Sequence, residues 1–201
     1  MNFKEFFRDK TRDKLQKALR DIGVNCSLSD RGIVEEQLFN PWHRTSLGII
    51  KIKSDYLIEY INIIKKWGSK NDPPRWWIYF AIPFQTSESK KDYIEVKSIR
   101  KKTLPIFGKV VSVDWQYNDK GKILGNKFIN SPEINSLSMQ LGNIKVQSLH
   151  ESFSGYSIEL EFKKSVFPGL TAPNISMNIN QWHTLNKIAK LCIENRKELR
   201  S

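Results

Sequence analysis

The chain has 201 residues, of which 39% are hydrophobic and 27% charged. That length suits one domain, and that apolar content supports a buried core, so disorder is excluded as the default. The formal net charge of +12 attracts polyanions at long range.

The basic excess consists of 24 Lys against 9 Arg, alongside 15 Asn and 23 Ile. An AT-rich coding sequence gives the same bias, whereas sites built for phosphate or base recognition favour Arg. The charge therefore points to a nucleic-acid partner without establishing one. No apolar run reaches the roughly 18–20 residues of a membrane-spanning helix. The charged start MNFKEFFRDK lacks the apolar core of a signal peptide. The expectation is a cytoplasmic protein with no membrane contact. Cys26 and Cys192, each among apolar neighbours, read as reduced core residues. No histidine has a partner at metal-ligand spacing.

Residues 2–22 read as an amphipathic helix, with Phe3, Phe7, Leu15, Ala18, Leu19 and Ile22 on one face and Gly23 as its stop. Short strands follow at 24–28 and 49–53. Ser54 is placed to cap a helix over 55–67, with Leu57, Ile58, Ile61, Ile64 and Trp67 as its apolar stripe, although the Ile-rich run also suits a strand. GSKNDPP at 68–74 breaks the chain.

From about 76 to 163 hairpin signals dominate. Strands are expected at 76–84, 93–99, 108–117, 122–128, 144–150 and 156–162, with NDKG at 118–121 as a turn. In the last strand Tyr156, Ile158, Leu160 and Phe162 alternate with outward Glu159 and Glu161. A closing helix over 179–199 begins near Asn178 or Asn180, with Ile179, Trp182, Leu185, Ile188, Ala189 and Cys192 on one face. The fold class is α+β: a single domain over residues 1–201, with an antiparallel meander sheet of five to seven strands and N- and C-terminal helices packed on it.

Two constellations bear on function. In KKWGSKNDPPRWW and SIRKK, cations alternate with aromatics. Lys65, Lys66, Arg75, Arg100, Lys101 and Lys102 are placed to meet phosphates, and Trp76, with Trp67 or Trp77, to stack on bases. These residues support a non-catalytic protein that binds DNA or RNA, or a basic accessory subunit of an assembly containing it. No cofactor is expected in that role.

The second constellation is Glu95-Val96-Lys97. It resembles the E-x-K strand of the PD-(D/E)XK nucleases, and the resemblance covers these residues and an upstream acid only. It implies Mg²⁺ held by carboxylates, with Lys97 orienting the attacking water. Alternation puts Glu95 and Lys97 on one face. A hairpin of 76–84 with 93–99 would place Glu95 opposite Ala81. Asp72 would then lie on the order of 30 Å away at roughly 3.3 Å per residue, and Asp92 would point to the other face. Asp30, Glu35 and Glu36 remain as acids for that reading. A third alternative is a protein–protein adaptor that uses a sheet face or edge, with incidental charge.

Overall fold

The computed structural model describes residues 9–40, 44–53, 55–70, 73–84, 93–103, 108–150, 153–163 and 177–198. These form one antiparallel sheet of eight strands and four α-helices. In chain order the strands are β1 (Cys26–Leu28), β2 (Thr45–Ile52), β3 (Tyr60–Lys66), β4 (Arg75–Pro83), β5 (Glu95–Lys102), β6 (Val110–Tyr117), β7 (Ile144–His150) and β8 (Phe153–Lys163). The helices are α1 (Thr11–Asp21), α2 (Lys122–Ile129), α3 (Pro132–Leu141) and α4 (Ile179–Glu198). The spatial order is β1-β2-β3-β4-β8-β7-β5-β6. A meander thus covers only the first four strands, and the later strands are interleaved.

The apolar stripes of all four helices enter one core cluster with one sheet face. Leu15 and Leu19 of α1, Leu124 and Phe128 of α2, Ile134 and Leu137 of α3, and Trp182, Leu185 and Ile188 of α4 meet Ile61, Ile78, Phe80, Val146, Ile158 and Leu160. Burying each large side chain stabilises the fold by about 1.5–3 kcal/mol relative to exposure. Both cysteines are free and buried in this layer. No described helix is long and apolar enough to cross a membrane.

The helix expected over 55–67 is a strand from Tyr60. Both faces of β3 are buried: Ile61 and Ile63 face the helices, while Tyr60, Asn62 and Ile64 face the other layer. A strand buried on both sides shows a continuous apolar run rather than alternation, which sequence periodicity cannot separate from a helix. Asn62 is fully buried and fully used. It accepts from Ser46 Oγ at 2.9 Å and donates to the carbonyls of Glu36 (3.2 Å) and Leu38 (3.1 Å). These bonds hold residues 33–40 over the second face, where Leu38 and Phe39 pack on Tyr79 and its neighbours.

Residues 122–128, expected as a strand, form α2. Asn118 explains the change of direction: its side chain accepts from the amides of Gly121 (2.9 Å) and Glu95 (3.1 Å) and donates to the Tyr93 carbonyl at 2.7 Å. It both starts the helical segment and ties it to β5. Helix α3 carries Pro132 in its first turn and ends at Gly142, where φ is +135°. At α4, Asn178 and Gln181 bond reciprocally, amide to side chain, at 2.9 and 3.0 Å. The first expected helix is described from Thr11; its residues 2–8 lie outside the described set.

The sheet is larger than expected, because β1, β2 and β3 join it ahead of residue 75. The expected 76–84/93–99 hairpin does not form. Glu95 lies opposite Gln147, and Ala81 lies between Tyr60 and Ser157. Strands β8 and β7 separate β4 from β5. The stretch of sequence separating Pro83 from Glu95 is too long for a tight turn to fix the pairing of β4 with β5, and non-local burial decided it.

Candidate nucleic-acid interface

The antiparallel register sets the ends of six strands along one rim. Lys66 ends β3 opposite Arg75, which begins β4, and Arg100–Lys102 end β5 beside Val110 at the start of β6. Five strand spacings of about 4.8 Å separate β3 from β6, a span on the order of 24 Å. Topology therefore brings the sequence-predicted cations of both segments, distant in the chain, to the same edge.

Their surroundings differ. Lys65 is 8% exposed, and its ammonium lies 2.7 Å from Asp9 Oδ2. Trp76 is 3% exposed and donates its indole N–H to the same oxygen at 3.2 Å. Thr11 binds the other carboxylate oxygen through its amide and its hydroxyl. Burial works against the Asp9 charge, but the bonds from Lys65 and Thr11 outweigh it and hold the carboxyl below its ordinary range. Lys65 and Trp76 are thus bound into the core, where Trp76 packs with Ile78 and Trp182. Trp77 is 6% exposed, beneath the guanidinium of Arg44 at 4.0 Å. Trp67 differs, at 60% exposure. Arg75 pairs with Glu161 at 3.4 Å.

At the other end, β5 pairs with β7 only over Glu95–Lys97, while its pairing with β6 continues to Lys102. The last residues of β5 and the first of β6 therefore form a two-stranded ribbon. The Arg100 amide and Nε both bond Asn143 Oδ1, at 3.2 and 3.3 Å. Burial pulls the Arg100 guanidinium below its ordinary value, though arginine stays charged at any working pH. Lys101 pairs with Asp114 at 2.6 Å, both exposed. Lys102 and Lys109 have no acidic partner among the described residues, and the Thr103 amide bonds the Lys109 carbonyl at 3.0 Å to close the ribbon end.

Glu95 and Lys97 do share a face, the one opposite the helices, with Val96 and Ser98 buried on the other side. Glu95 accepts from Tyr93 Oη at 2.7 Å and from Lys145 Nζ at 3.0 Å. Desolvation opposes its charge; the Tyr93 and Lys145 bonds exceed that effect and keep its pKa low. Burial, aided by the bond to Glu95, raises the Tyr93 phenol. Glu35 sits against Lys51 of β2 at 3.3 Å, five strands from β5 and so on the order of 24 Å from Glu95. Glu36 and Asp30 lie in the same loop region. The acids of residues 30–36 are therefore not beside Glu95. Asp72 and Asp92 lie outside the described residues. Among the described residues no three His, Cys, Asp or Glu side chains gather for a metal.

Glu159, read from sequence only as an outward residue of the last strand, has a distinctive setting on this face. It stands opposite both Tyr79 and Lys145. Burial pushes its pKa up to about 7; Lys145 and Arg44 offset part of that, and Glu161 and Glu95 add to it. It makes no hydrogen bond among the described residues. Alternation alone marked it as facing away from the helices, but only the register revealed its neighbours. A separate groove of about 640 Å³ lies between α3 and α4, with Glu133 and Lys187 paired across it at 3.0 Å.

No family model, curated protein or solved structure matches this chain.

Proposed function

We propose that this is a non-catalytic nucleic-acid-binding protein, or a basic accessory subunit of an assembly containing nucleic acid, and that it binds along the strand-end rim. The observation behind this reading is the alignment of Lys66, Arg75, Arg100, Lys101, Lys102 and Lys109 on one edge of one sheet. The β5–β6 ribbon is the principal contact. Among the described residues its four cations pair with one acid, Asp114, and their row along the ribbon suits a phosphate backbone. Lys65 and Trp76 act indirectly, by fixing the rim's base. The E-x-K nuclease alternative draws no support from the placement of Glu95, whose carboxylate is engaged by Tyr93 and Lys145. The adaptor alternative draws on one feature: β6 is the last strand of the described sheet, and its Val111 is 58% exposed.

A salt titration tests the proposal. Binding to DNA or RNA at about 50 mM salt, falling steeply as salt rises, is the expected result. No binding at low salt, together with a salt-insensitive complex with a partner protein, would shift the assignment to the adaptor.

A further inference from the structure

Trp67 follows β3 directly and is 60% exposed, whereas Trp76, Trp77, Trp115 and Trp182 are all buried. Tryptophan is enriched at interfaces, where a partner covers a ring that the fold leaves open. Its position is also constrained. The Lys65 ammonium lies 3.9 Å from the Trp67 ring centroid and 5.0 Å from that of Trp76. Asp9 in turn fixes that ammonium at 2.7 Å. One cation is therefore held between two indoles, one in the core and one at the surface. The attraction of the ammonium for the ring orients Trp67 without enclosing it. A pre-set ring loses little freedom on binding. Immediately beside it are Lys66 and Arg75, the first cations of the rim.

Given the nucleic-acid reading above, on which this rests, we infer that the rim takes unpaired polynucleotide rather than duplex, with one base stacked on the exposed Trp67 and the neighbouring phosphates on Lys66 and Arg75. Bases within a duplex are stacked on each other and offer no free face at the height of a backbone contact, while an unpaired strand offers one at every nucleotide. Stacking tolerates any base, so the preference is for strandedness and not for sequence. Lys65 is a positioning residue here: it aims Trp67 and touches no phosphate.

The test compares fluorescently labelled oligo-dT and oligo-rU of roughly 16 nucleotides with a blunt duplex of the same length, by anisotropy against the full chain. The expected result is single-strand binding at least about tenfold tighter than duplex binding. Trp67→Ala should weaken the single-strand complexes about tenfold and leave any duplex binding unchanged. The slope of log affinity against log salt should be the same in both proteins, because no phosphate contact is removed. Trp67→Phe, which keeps a ring, should recover part of the loss. Because Trp67 is exposed, both variants fold. Equal binding of duplex and single strand, or a Trp67→Ala protein that binds normally, overturns this inference while leaving the cationic rim intact. Failure of every probe to bind at low salt overturns the rim as well. The dT and rU arms show whether the backbone sugar matters.

Discussion

In the half of the sheet built from β2, β3 and β4, two cations, Lys65 and Arg44, are taken into the fold. Lys65 is 8% exposed and bound to Asp9, Arg44 lies over Trp77, and the second face is sealed by Leu38, Ile49, Tyr60, Ile64, Trp77 and Tyr79. In the half built from β5, β6, β7 and β8, the second face carries Glu95, Lys97, Lys145 and Glu159. There Lys101, Lys102 and Lys109 stand at the surface. The same residue types, lysine beside aromatic or aliphatic, serve the fold on one side and remain open to a partner on the other. Residue type alone therefore does not assign a lysine to binding; its acid partner and its burial do.

Substitutions on the two halves should differ accordingly. The largest effect belongs to Asp9→Ala. It strands the Lys65 ammonium without a counter-charge and leaves the Trp76 indole N–H and the Thr11 amide unpaired. A loss of about 3–5 kcal/mol is expected in urea unfolding. A loss below about 1 kcal/mol, no more than a surface pair gives, would mean that Lys65 is not structural. Next comes Gly48→Ala at the bulge of β2. Its φ of +103° disfavours any side chain, and a Cβ there would overlap Arg12 Nη1. A destabilisation of about 1–3 kcal/mol should appear in thermal unfolding.

Glu159→Gln comes third and acts through pH. The folded protein holds the Glu159 proton to about pH 7, while the unfolded chain releases it near the ordinary 4.5. The folded state binds the extra proton in that window, so stability falls as pH rises from about 4.5 through about 7. Glutamine removes that loss. Discounted for partial solvent access, the variant should be about 1–2 kcal/mol more stable than the parent at pH 8, with no advantage at pH 4. An advantage that is the same at both pH values would refute the buried-carboxylate account. The smallest expected effect is that of Arg100→Gln with Lys102→Gln. Stability should fall by no more than about 1 kcal/mol, because Lys102 is exposed and the Arg100 side chain gives up one hydrogen bond, from Nε to Asn143. A cooperative loss beyond that would place the ribbon among the structural charges and erase the difference between the halves.

Sequence captured the elements whose burial is one-sided. Tyr156, Ile158 and Leu160 alternate with Glu159 and Glu161, and the terminal helices show clean stripes at Leu15, Leu19, Trp182 and Leu185. Two-sided burial was read correctly in β4, expected as a strand over 76–84, but not in β3, whose Ile-rich run suits a helix as well, and a short helix was missed. The segment from Ser131 to Gly142 held a usable signal, with Pro132 at the first helical turn and Gly142 as the stop. The KILGNKF run at 122–128 carried no such mark, and the Asn118 side chain that starts its helical turn bonds to β5, 23 residues earlier in the chain. Strand pairing was beyond local reading. That β7 and β8 insert between β4 and β5 follows from pairings between residues such as Lys97 and Lys145, or Arg75 and Lys163, far apart in the chain. The candidate rim was legible as residue types but not as a rim, since only the register aligns Lys66 and Arg75 with Arg100–Lys102.

The most direct measurement is the salt dependence of single-strand binding for the parent protein and for Arg100→Gln/Lys102→Gln/Lys109→Gln. Binding at low salt that weakens steeply with salt, and a slope reduced by about two in the variant, is the predicted result for a single strand. Equal affinity and equal slope in the two proteins, or no binding by the parent at low salt, would contradict the assignment of the β5–β6 ribbon as the nucleic-acid contact.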